Sequence, residues 1–199
     1  MNIGEIKCAI ISVSEKLCAM LDLIEKGFME NKPDILAEAM KIEHDINDTE
    51  KNLTRNILEL SKTTDNKKEL IMFEQMIEAL ERMGDEASSI IERMEIKMSE
   101  KLLFSDLGVK QFNETYYAMR DSVIMMRDFL KNPNDPLKEK IVDNGFRVKD
   151  LVEKYRKEHA ERLVRGLCTP MGANMYFDML DFTGNLARHS SNVVKLFCI

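Results

Sequence analysis

Phe73-Glu74-Gln75-Met76-Ile77-Glu78-Ala79-Leu80-Glu81-Arg82-Met83-Gly84-Asp85-Glu86-Ala87-Ser88-Ser89-Ile90 decides the fold class. Its apolar side chains recur every three or four residues, which gathers them on one face of a helix and on no face of a strand. The pattern returns as Tyr176-Phe177-Asp178-Met179-Leu180-Asp181-Phe182-Thr183-Gly184-Asn185-Leu186-Ala187-Arg188-His189-Ser190-Ser191-Asn192-Val193. Laid over each other, Leu80 falls on Thr183, Met83 on Leu186 and Ile90 on Val193. Few residues are identical, so the repeat is one of pattern and position.

Outward from these two stretches, helical spacing continues. Ile3, Ile6, Ile10, Val13, Leu17, Leu21, Ile24 and Phe28 stripe a first helix; Ile35, Ala39, Ile42, Ile46, Leu53, Ile57 and Leu60 stripe a second. Val109, Phe112, Tyr116, Met119, Val123, Met126 and Leu130 stripe a fourth, opened by Ser105-Asp106. Breaks fall at Asn31–Asp34, Thr63–Asn66, Asn132–Asn134 and Gly166–Pro170. Asp34 is expected to cap the second helix, and Asp135-Pro136 to open the fifth with an acidic cap and a proline at the first helical position. The fifth helix runs to about Val164 and the sixth from about Asn174 to Phe197. The predicted fold is all-α: six long antiparallel helices forming two pseudo-repeated three-helix bundles, residues 1–103 and 104–199.

Composition agrees. Only 8 Gly and 4 Pro in 199 residues leave room for long uninterrupted elements. With 44% hydrophobic and 32% charged residues the chain can build a core and stay in solution. The net charge of −6, without a basic run, argues against nucleic acid. Cys8, Cys18, Cys168 and Cys198 form no CxxC pair and read as reduced thiols. No apolar run nears the roughly 20 residues of a membrane span, and charged Lys7, Glu15 and Lys16 flank Ile10-Ile11, unlike a signal peptide. The expectation is a cytoplasmic protein that does not span a membrane. His44, His159 and His189 share no catalytic spacing with a Cys or Ser, and no glycine loop cradles phosphate, so no enzyme is expected. Met72, Met76, Met119, Met125 and Met126 read as core filling.

Leu80-Glu81-Arg82-Met83-Gly84-Asp85 resembles the signature of the PhoU family of phosphate-uptake regulators, whose three-helix unit is repeated twice with an acidic ExxxD motif on each third helix. Ile42-Glu43-His44-Asp45-Ile46-Asn47-Asp48-Thr49-Glu50 is similar to the family's acidic second-helix segment. His159, Arg162-Leu163, Gly166 and Cys168 resemble the H-x-x-R-L-x-x-G-x-C stretch of PhoU domains appended to sodium–phosphate cotransporters, and His189 and Asn192 match the signature's His and Asn. The resemblance implies a regulator that binds the cytoplasmic face of a phosphate transporter or a sensor kinase, and that forms a homodimer.

Residues four apart share a helix face, so Glu81 pairs with Asp85 and Glu43 with Asn47. Convergent oxygens suit hard divalent cations or carboxylate-bound iron, and the resemblance implies a metal at Glu43, Asn47, Glu81 and Asp85. The alternative function is a carboxylate-bridged iron protein. Against it, no helix carries a Glu-x-x-His pair facing a second one, and His44 directly follows Glu43, so the two side chains are expected to point apart. In the second half the four matching positions are Gly145, Lys149, Gly184 and Arg188, with no acid among them; a shifted register would instead place Asp181 and Asn185 on the motif. Lys149 and Arg188 read either as ordinary surface charge or as a cationic patch for an anion or a neighbouring acidic side chain.

Overall fold

A computed structural model describes residues 1–197. It contains six helices and, among the described residues, no strand: α1 (Ile3–Glu30), α2 (Pro33–Leu60), α3 (Lys67–Ser99), α4 (Asp106–Lys131), α5 (Asp135–Val164) and α6 (Pro170–Lys195).

Local chemistry sets the helix ends. Asn2 and Glu5 close a reciprocal capping box at α1, each side chain accepting from the other's backbone N–H, at 2.9 and 2.8 Å. Ser105 caps α4 by accepting from Gly108 N at 3.2 Å. Two expected caps move by one or two residues. Pro33, with no N–H to satisfy and φ already helical, starts α2 two residues early, so Asp34 lies in the first turn, where its charge favours the helix dipole. At α5 the cap is Asn134, accepting from Leu137 N at 3.0 Å, with Asp135 inside the helix. Helix α6 also starts earlier than expected. Thr169 accepts from Gly172 N at 3.1 Å, and Pro170 sits where a missing N–H costs nothing.

Each helix of the first three packs on the other two, as does each of the last three. The halves join through α3 against α6 and α1 against α4, leaving α2 and α5 on the outside. The repeat-matched pairs Leu80/Thr183, Met83/Leu186 and Ile90/Val193 are fully buried, as the overlay requires. Burying one such apolar side chain contributes about 1.5–3 kcal/mol. Polar ties cross the joints. Tyr116 donates to Leu21 O at 2.8 Å between α4 and α1, and Arg93 Nε donates to Asp178 Oδ2 at 2.9 Å between α3 and α6. Helices α1 and α2 approach so closely at Gly27 that a Cβ there would lie 2.5 Å from Leu36 Cδ2.

Cys8, Cys18 and Cys168 are free, and burial pushes the Cys18 thiol up to about 11, which leaves it unreactive; Cys198 lies outside the described residues. Among the described residues, no helix is long and apolar enough to cross a membrane.

Candidate functional site

The first-half acidic residues stand on α2 and α3, which pack side by side. Glu43 is buried in that seam, only 6% exposed. Asn47 Nδ2 donates to its Oε1 at 2.6 Å, one turn along the same helix. Its other oxygen, Oε2, lies 2.8 Å from His44 Nδ1. Adjacent residues were expected to point apart; the long glutamate reaches along the helix to its neighbour's ring instead.

On α3, Glu81 and Asp85 face the same seam. Partial burial raises the Glu81 carboxyl above its usual range, and the charges of Asp85, Glu50 and Glu43 raise it further. Asp85 is raised by burial and by Glu43. The three predicted acids therefore feel one another's charge, together with that of Glu50, which the sequence pattern did not mark out, and Asn47 joins them only through its bond to Glu43. Glu50 lies two helical turns beyond Glu43, and its i, i+7 relation to that residue was the available signal.

The donors suit a hard cation in kind. All are oxygens, and the buried Asn47 Oδ1 has no hydrogen-bond partner, an unsatisfied acceptor that burial makes costly. They are not a finished cage. Among the described residues, no three His, Cys, Asp or Glu side chains are close enough to hold one ion together.

The second half presents the reverse. Gly145, Lys149, Gly184 and Arg188 all line one cavity of about 660 Å³ between α5 and α6. The two glycines allow the helices close: a Cβ at Gly145 would lie 2.4 Å from Ser191 Oγ, and one at Gly184 would lie 3.3 Å from Val152 Cγ2. Lys149 lies 3.6 Å from Glu153, while Arg188 meets Asn185 Oδ1 at 3.3 Å and the His189 ring at 3.4 Å. Asp181, the acid a shifted register would recruit, is taken up by Arg156.

Both motif histidines are buried against arginines. His159 stacks on Tyr176 with centroids 4.1 Å apart, and Arg162 Nη2 lies 2.8 Å from its Nδ1. Burial first, and the Arg162 charge second, push His159 down to about 4; burial, Arg188 and Arg82 do the same to His189. Both rings are neutral at physiological pH. Another acid unmarked by the motif, Glu86, accepts from Asn185 Nδ2 at 3.1 Å, tying the acidic helix α3 to the wall of the cavity on α6.

Residues 10–94, which hold every residue of the acidic seam, match the family model described as the PhoU domain. The segment is a PhoU-family domain. The likeness of fold extends over the whole chain. The PhoU structure from Pseudomonas aeruginosa superposes with a TM-score of 0.90 at 14% identity, covering 98% of this chain and 94% of that one. The phosphate transport system regulatory protein PhoU from Streptococcus pneumoniae gives 0.85 at 11% identity, with 97% and 91% covered. A PhoU-like protein from Shewanella oneidensis MR-1 gives 0.69 at 15% identity, with 96% of each chain covered. No curated protein matches the sequence significantly. At such identities these structures establish the PhoU fold, with six helices and two three-helix bundles, and leave the chemistry of each half to this chain's own residues.

Proposed function

We propose that this protein regulates phosphate uptake or phosphate signalling in the cytoplasm. It acts by binding a transporter's cytoplasmic face or a sensor kinase, and it works as a homodimer. The carrying observation is the PhoU-domain match over residues 10–94, supported by a fold shared with PhoU proteins across the chain.

Within this reading, Glu43, Asn47, Glu81 and Asp85 would hold a divalent or iron cation. When bound, the cation supplies positive charge to a crowded carboxylate seam. The chain's own part is to set the donors. The Asn47 amide orients Glu43, and the α2–α3 packing presents Glu81 and Asp85 to it. Gly145, Lys149, Gly184 and Arg188 remove any equivalent cation site from the second half, because a positive ion would meet like charge there.

The test is deletion of the gene in its host, with phosphate uptake and a phosphate-starvation reporter measured at high and low external phosphate. Deregulated uptake or signalling at high phosphate is expected. Unchanged uptake together with unchanged signalling would overturn the reading.

A further inference from the structure

The cavity between α5 and α6 is a long groove with a consistent chemistry. On α5 its lining runs from Val142 to Arg156, fourteen residue steps, or about 21 Å at the helical rise of 1.5 Å. On α6 it runs the same number of steps, from Asp181 to Lys195. A single phosphate or carboxylate occupies only a small part of that length.

The walls are partly apolar. Val142 and Val152 line it, and Phe146 stands 62% exposed at its edge, although Phe is usually buried. The charge is cationic: Lys149, Arg156, Arg188 and Lys195 face it against two acids, Glu153 and Asp181. Asp181 is held by Arg156, and Glu153 faces Lys149, while Arg188 has no carboxylate within ion-pair distance among the described residues. The groove is thus net cationic on a chain whose overall charge is −6.

We propose that this groove docks an acidic amphipathic helix of a protein partner. Its apolar face would lie on Val142, Phe146 and Val152, with carboxylates on Lys149 and Arg188. Gly145 and Gly184 let α5 and α6 meet closely along the floor of the groove, where Ser191 and Val152 take up the space beside them, and the partner helix would lie along the channel above. The length of the groove matches about four helical turns. Within the proposed function, this names the chemistry of the protein partner.

The test uses the full-length protein and a fluorescein-labelled helical peptide of about 15 residues, with leucines on one face and glutamates flanking them. Anisotropy is read at low and high salt, beside a control peptide with lysine replacing each glutamate. Binding of the acidic peptide that weakens with salt is expected. Arg188→Glu with Lys149→Glu, and separately Phe146→Ala, should each weaken binding about tenfold or more while circular dichroism stays unchanged. The inference is overturned by no binding, by equal binding to the variants, by equal binding of the lysine peptide, or by millimolar inorganic phosphate displacing the peptide. Phosphate deregulation in the deletion strain, with no peptide binding, would sink the groove inference and leave the proposed function standing.

Discussion

Acid should destabilise this protein through two histidines, by an amount that follows from their burial. His159 and His189 are 3% and 6% exposed and titrate near 4 when folded, against 6.5 for a free ring. Because the folded values are depressed, their contribution is whole above pH 6.5 and is lost as pH falls from 6.5 towards 4. At pH 5 an unfolded ring is nearly all protonated and a folded one hardly at all, a difference of about 2 kcal/mol per histidine. Together they remove about 4 kcal/mol between pH 7.5 and 5, a large share of the 5–15 kcal/mol typical of a domain. Glu81, Asp85 and Glu86 work the other way. Their folded values are raised, so they gain stability as pH falls through the carboxylate range. The histidine part is isolated by comparison with His159→Asn plus His189→Gln, where Asn can still accept from Arg162 at the Nδ1 position. Urea unfolding followed by circular dichroism at pH 7.5 and 5.0 measures both proteins. The double variant should be less stable at pH 7.5, yet lose about 4 kcal/mol less on acidification. Equal losses in the two proteins would refute the reasoning.

Magnesium or manganese should raise the melting temperature of the wild-type protein, less so at pH 5 than at pH 7.5 because protons compete for Glu81 and Asp85; Glu81→Gln plus Asp85→Asn should abolish that rise. Without metal, the same variant should melt no lower than wild type, since its carboxylates are held in an unfavourable setting. Gly27→Ala should cost about 1–3 kcal/mol in urea unfolding, because its Cβ would meet the fully buried Leu36 at 2.5 Å. Tyr116→Phe should cost about 1 kcal/mol by removing the bond to Leu21 O that ties α4 to α1.

The stripes carried the fold into view, because three- and four-residue spacing depends only on which face of a helix is buried. Helix starts were less legible. At Pro33 and Pro170 a residue that reads as a breaker serves as a first-turn residue, which moves each start towards the N-terminus. Glu81 and Asp85 were legible because a four-residue spacing is a local property. Glu50 was not, since its nearness to Glu81 depends on how α2 lies along α3. Gly145 and Gly184 read only as missing acids. That they bring α5 and α6 together beside Phe146 is a fact of packing, and no motif encodes it.

One contact bears on both sites. Glu86 follows Asp85 on α3, and Asn185 follows Gly184 on α6, with 3.1 Å between donor and acceptor. This hydrogen bond joins the acidic seam to the cationic groove across the line between the two halves. Suppose a cation in the seam changes its strength. Were that change to alter affinity in the groove by some factor, thermodynamic reciprocity would make groove occupancy change cation affinity by the same factor. In a chain with one acidic half and one basic half, a single amide is then the place where an ion in one and a partner on the other would read each other.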